Sequence, residues 1–220
     1  MLAVVDHVFI CTAAGAPAAD CLRQFGLAEG SPNQHPGQGT ACRRFFFRNA
    51  MLELLWVEDA AAARSEQTRR TRLWERCSET GTNASPFGII LRPPPGAAKQ
   101  CPFPSWEYRP VSLPDLALHV AKENGLEEPM WCYMEAGRRP DEAPPERRQP
   151  LDHPSGLREL TGVCVVGPLL NETSLTVAMA RAGVIRSQSG PEHLLELQFD
   201  GGQQEGRMDF RPSLPLIFYW

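Results

Sequence analysis

Two stretches of this chain match one another across most of its length. Residues 51–58 read MLELLWVE and residues 193–200 read HLLELQFD. Each is preceded by a strand-like run, VVDHVFIC at 4–11 and LTGVCVVG at 160–167, and by a helical segment that leaves through RQFGL or ARAGV. A duplicated unit of this kind predicts two copies of one supersecondary motif that bury a shared interface. In each L-E-L strand the acidic residue alternates with apolar ones. Glu53 shares a face with Met51, Leu55 and Val57, while Leu52, Leu54 and Trp56 form the other. Glu196 shares a face with Leu194 and Gln198, opposite Leu195, Leu197 and Phe199. Strand side chains alternate, so both carboxylates should point away from the face that packs on helices and into a cleft.

In the first half, AVVDHVFIC is rich in β-branched and aromatic residues and reads as a strand. The segment GAPAADCLRQFG reads as a helix, with Pro17 near its first turn and Gly26 at its end. CRRFFFRN and AMLELLWVE are two further strands, and SPFGIILRP is a fourth. The order is βαβββ, interrupted before its last strand by a helical insertion at about 60–79. Residues 94–157 are proline-rich and polar. They read as a connector with short strands at DLALHVA and EPMWCYM and an exposed Pro-rich loop after them. Residues 158–220 supply the second βαβββ module.

The residues DHVFI, HPGQGTACRRFFF followed by NAMLELLWV, and the later LLELQFD together resemble the vicinal oxygen chelate superfamily. The similarity is to its glyoxalase-like domain proteins (glyoxalase, bleomycin-resistance and dioxygenase type). The resemblance implies an α+β fold, two βαβββ modules whose curved mixed sheets enclose a cleft. It also implies a divalent ion held by a first-strand His or Gln and a later-strand Glu of each module. Carried over by position, His7, Glu53 and Glu196 are the metal ligands, with Glu53 and Glu196 as candidate catalytic carboxylates. The fourth place falls on Gly162, which has no ligating side chain.

Imidazole nitrogen and carboxylate oxygen suit zinc, manganese, iron, nickel or cobalt, and three ligands leave room for substrate. Such an ion supports lyase, isomerase or hydrolase chemistry on a small oxygen-rich molecule. The alternative function is a metal-free protein that binds or sequesters a small molecule without turnover. The alternative role for Glu53 is a structural ion pair with Arg43, Arg44 or Arg92. His35, Arg92, Trp106 and Tyr108 are candidate substrate contacts. His119 and His193 read as structural, and His153 lies in a loop.

Composition narrows the remaining classes. A formal net charge of −4 argues against a nucleic-acid binder. No apolar run approaches the roughly 20 residues of a membrane-spanning helix. The seven cysteines form no C-x-x-C pair, which predicts reduced thiols and a cytoplasmic protein. The resemblance implies a small-molecule partner, and the expected state is a monomer or homodimer.

Overall fold

The computed structural model describes residues 2–78, 83–168 and 170–220. It is an α+β fold with two sheets. The first motif keeps the expected opening strand, helix and two later strands, but it gains a strand at 33–35 where none was expected, and the expected last strand, SPFGIILRP, falls outside it. Strand β1 (Val4–Cys11) leads into helix α1 (Ala19–Phe25), then β2 (Asn33–His35), β3 (Thr40–Phe46) and β4 (Met51–Val57). Gly26 ends α1 at φ 102°, and a Cβ there would lie 2.9 Å from the Ser155 backbone nitrogen, so the turn needs glycine. The insertion after β4 folds as short pieces and not as one helix. It contains α2 (Ala60–Ala63), a 3-10 turn and α3 (Leu73–Cys77), and the rest of the expected span, from residue 79, lies outside the described residues.

The second copy of the motif is not where the sequence repeat put it. Strand β5 (Phe87–Arg92) is followed by β6 (Ser105–Tyr108), β7 (Leu118–Ala121) and β8 (Met130–Tyr133). All join β1–β4 in one eight-stranded sheet ordered β2-β3-β4-β1-β5-β8-β7-β6. That order is palindromic about the antiparallel β1–β5 pair, with β1 parallel to β4 and β5 parallel to β8. Two of its strands, β7 and β8, fall at the short strands expected in 94–157, and residues 134–157 form no strand, as expected of the loop, but with β6 the segment completes the sheet and is not merely a connector. Pro102, Pro104 and Pro110 confine β6 to its edge, where a missing N–H costs no ladder bond.

Residues 158–220 form a separate five-stranded sheet: β9 (Leu160–Gly167), β10 (Arg186–Ser189), β11 (Leu194–Phe199), β12 (Arg207–Asp209) and β13 (Leu216–Tyr219), with α4 (Leu175–Arg181) between β9 and β10. Its order, β10-β9-β11-β13-β12, differs from that of the first motif. The expectation that this segment mirrors residues 1–93 is thus corrected. Similar strand sequences recur because a half-buried strand beside a helix demands the same alternation in either topology.

One face of the large sheet shares a core with α1, α4 and the small sheet. Val8, Ile10, Leu52, Leu54, Ile89 and Trp131 meet Val165, Leu197 and Phe218 in this cluster. The Phe47 and Phe199 rings lie 4.6 Å apart, and Trp131 Nε1 donates to Thr176 Oγ1 of α4 at 3.1 Å. The opposite face curls into a cup. Tyr108 on β6 donates its hydroxyl to Gln38 Oε1 beside β2 at 3.2 Å, although β2 and β6 are the two edges of the sheet. Phe9, Cys42, Leu55, Ile90, Val120, Met130 and Cys132 line this concave face, and Leu73 of α3 packs among them. Gly88 makes room for the Phe9 ring, which a Cβ at that position would strike.

The insertion is fastened to the cup covalently. Cys11 and Cys77 form a disulfide across 66 residues, with Cα atoms 4.9 Å apart. This corrects the expectation of reduced thiols throughout, since neither spacing nor motif marks two cysteines that only the fold brings together. Denatured protein kept free of reductant should titrate five thiols, not seven. Cys77→Ser should lower unfolding free energy by about 4 kcal/mol through the longer accessible loop, measured by denaturant titration.

Candidate functional site

The concave face carries most of the residues singled out in the sequence. On β1, Val5 and Val8 both pack toward the shared core although they are three positions apart, an odd spacing. The β1–β5 register shifts between Val5 and His7, so this stretch is a β-bulge. Adjacent side chains on a regular strand point to opposite faces, and the extra residue of the bulge removes that constraint. Asp6 Oδ1 consequently reaches His7 Nδ1 at 2.7 Å. The bond fixes the imidazole and leaves Nε2 without a hydrogen bond among the described residues. Burial lowers the His7 pKa, but the Asp6 hydrogen bond and the charges of Glu53 and Asp6 outweigh it and raise the value above 6.5.

Glu53 lies on the same face, on the neighbouring strand, paired in register with Phe9 on one side and Arg44 on the other. It is 8% exposed and accepts the Cys42 thiol proton at 3.8 Å. Burial and the Glu53 charge push the Cys42 thiol far up, so it stays protonated. The opening Glu therefore does face into the cup, as strand alternation predicts.

The other candidates on this face are committed to the protein. Asn33 Nδ2 donates to His35 Nε2 at 3.0 Å, which assigns the other ring nitrogen as the donor to Thr40 Oγ1 at 2.9 Å. Thr40 Oγ1 also accepts from Gln38 Nε2, so the chain of bonds runs on to Tyr108 and holds the two sheet edges together. Burial lowers the His35 pKa, consistent with a neutral ring. Trp106 is covered by the Arg70 guanidinium at 4.3 Å, and Tyr108 is buried. These three residues close the cup and do not stand open at its mouth. His153 is likewise structural, accepting from the Ala28 amide at 3.0 Å and meeting the Phe46 carbonyl at 3.0 Å.

Two expectations fail on geometry. Glu196 does not join His7 and Glu53. Its neighbours Leu195, Leu197 and Phe199 face the shared core, so Glu196 points out of the far side of the small sheet. There it accepts from the Tyr219 hydroxyl at 3.4 Å in an open groove with Arg186 and Trp220. Arg92 is also absent from the cup. It lines a cavity with Val4, Val5 and β9, because the bulge at Asp6 re-aims this end of the β1–β5 pair.

The donor set can now be tested against a divalent ion. His7 and Glu53 offer one nitrogen and one carboxylate on the β1–β4 half of the cup. The matching face of β5 and β8 presents Gly88, Ile90, Met130 and Cys132. Burial pushes the Cys132 thiol up to about 12, which keeps it protonated. Among the described residues no three His, Cys, Asp or Glu side chains are grouped as a metal site requires. The residues present do not fit a complete ion site.

No protein-family model matches the chain, and no curated protein matches it. Among solved structures it is similar to a hypothetical protein from Staphylococcus aureus, with a TM-score of 0.53 and 11% sequence identity over 99% of each chain. At that identity the likeness speaks to the fold alone. No helix among the described residues is long and apolar enough to cross a membrane.

The raised His7 pKa yields a pH test. A group whose folded pKa exceeds its unfolded value stabilises fully below about 6.5, and that contribution fades as pH rises through the folded pKa. The stability difference between the parent and His7→Gln should therefore shrink with rising pH. In Asp6→Asn the NMR-titrated His7 pKa should fall, each unit corresponding to about 1.4 kcal/mol. An unchanged His7 titration would remove Asp6 as its partner.

Proposed function

We propose that this chain is a vicinal oxygen chelate type, glyoxalase-like protein whose concave sheet face binds a small oxygen-bearing molecule without a resident metal ion. One observation carries the reading: the His7 Nε2, without a hydrogen bond among the described residues, and the Glu53 carboxylate, met there by the weak Cys42 thiol donor, stand on one half of the cup, while the other half is apolar. Such a surface matches a small ligand with oxygen atoms at one end and an apolar body at the other. His7 would donate to, or accept from, the ligand oxygen, and Glu53 would meet a hydroxyl or other donor. The palindromic eight-stranded sheet supports the superfamily reading, since it sets two motifs of one strand order side by side around a single cup.

A second reading is favoured by the Asp6–His7 pair. An imidazole held at Nδ1 by a carboxylate and open at Nε2 is arranged to move a proton, with Glu53 as the complementary acid or base. Under that reading the chain is an isomerase or lyase that works by proton transfer. The two readings share a binding site and differ in turnover.

The test is a ligand screen followed by calorimetry on the parent, His7→Gln and Glu53→Gln, with elemental analysis of each protein. Each substitution should weaken binding by about 1.5–3 kcal/mol, the range for hydrogen bonds to charged groups. A chelator should leave the affinity unchanged. Binding that survives both substitutions, or that the chelator abolishes, would overturn the proposal. Turnover lost in both variants would select the second reading.

A further inference from the structure

Arg76 and Arg92 are both almost fully buried, and the fold treats them differently. Arg76 donates to four backbone carbonyls, those of Ser85, Leu126, Glu128 and Gly125. Its charge is spent on chain carbonyls, and its role is to tie α3 to the segment before β8. Arg92, with its side chain 7% exposed, makes one hydrogen bond, from Nη2 to the Asn49 carbonyl at 3.1 Å. Its Nε lies 3.4 Å from Asp6 Oδ2, close enough for an ion pair, yet both atoms are buried without a hydrogen-bond partner. A guanidinium has five N–H donors, and burial without partners is unfavourable for each. Arg92 is thus a buried cation whose Nε has no hydrogen bond and only the Asp6 carboxylate beside it.

It borders a cavity of about 290 Å³ between β1, β5 and β9. Val4, Val5, Leu160, Val163 and Val184 give that cavity an apolar wall. The other polar residues around it are already committed. Asn49 donates to the Leu160 carbonyl at 2.8 Å and accepts from the Leu160 amide at 2.9 Å. The Thr161 hydroxyl donates to the Gln198 carbonyl and accepts from the Gly201 amide. Arg139 is held by Asp141 and Glu159. Of the polar side chains around this space, Arg92 is the one with a buried atom that lacks a hydrogen bond.

We infer that this cavity is a second ligand site, taking a small monocarboxylate with a short apolar tail, its carboxylate on Arg92 and its tail against the valine wall. A planar carboxylate matches the guanidinium fork, which a point-charge ammonium cannot reproduce. A doubly charged phosphate is the poorer match, because Asp6 stands beside Arg92 and the second arginine is already neutralised. The volume sits near the lower end of the roughly 300–1,000 Å³ found for small-molecule pockets, which favours a short chain. The site lies on the other side of Asp6 from His7, and its test does not depend on a ligand in the cup.

Hexanoate and hexanol are the probes, titrated into the full chain carrying labelled valine and leucine methyls. Hexanoate should give saturable shifts centred on Val4, Val5, Val163 and Val184, and hexanol should bind at least about tenfold more weakly. Arg92→Lys keeps the charge beside Asp6 but loses the fork, so it should weaken hexanoate about tenfold and leave hexanol unchanged. Val184→Phe, at a half-buried position, should block both probes, and it carries the test should Arg92→Lys fail to fold. Equal binding of hexanoate and hexanol, shifts that do not saturate, or full hexanoate affinity in Val184→Phe would each overturn the inference.

Discussion

The antiparallel pairing of β1 with β5 is the constraint on which the rest of the large sheet depends. It joins two sets of four strands edge to edge and so makes eight strands from two similar motifs. Strand twist accumulates across such a sheet. Here it brings the outermost strands close enough for Tyr108 to bond Gln38. Phe9 lies at the centre of the junction, over Gly88, and its ring fills the floor of the cup. The bulge at Asp6 lies in the same pairing. It is the local irregularity that turns one carboxylate toward His7 on the concave side and toward Arg92 on the other.

Most of the cup is occupied by the protein's own side chains. Leu73 and the Cys11–Cys77 disulfide bring the insertion down onto it, and Arg70 stacks on Trp106. The chemistry left to a ligand is accordingly small: one imidazole nitrogen, one carboxylate and an apolar flank. That restriction separates this surface from an ion site, which needs several unprotonated donors converging at about 2.0–2.2 Å.

The direction of Glu53 was readable from residue type and alternation. Glu53 lies on the concave face because strands place every second residue on one side, and Leu52 and Leu54 claim the other, whereas alternation left the direction of His7 open, since it shares a face with the apolar Phe9 and Cys11. Trp106 and Tyr108 share the concave face because their segment, expected to be connector, is the edge strand β6. What alternation cannot give is commitment: both nitrogens of His35 are engaged, and the Tyr108 hydroxyl spans the sheet, only because distant edges meet. The Asp6–His7 contact was hidden because a bulge has no reliable mark in the sequence.

By itself the sequence determined the strands at 4–11, 40–46 and 51–57 and the helix between the first two, the direction of Glu53 and Glu196 relative to their own strands, and the α+β class. These follow from local propensity and a period of two, which a single chain segment carries within itself. Tertiary structure alone decided which strands are partners. It set residues 87–133, not 158–220, opposite the first motif, and so put Glu196 across the shared core from Glu53. It also paired Cys11 with Cys77 and left Arg92 facing a cavity. Pairing is a choice among strands whose exposed edges are chemically alike, since every edge offers the same N–H and C=O groups. Only the packing of the whole chain distinguishes one partner from another.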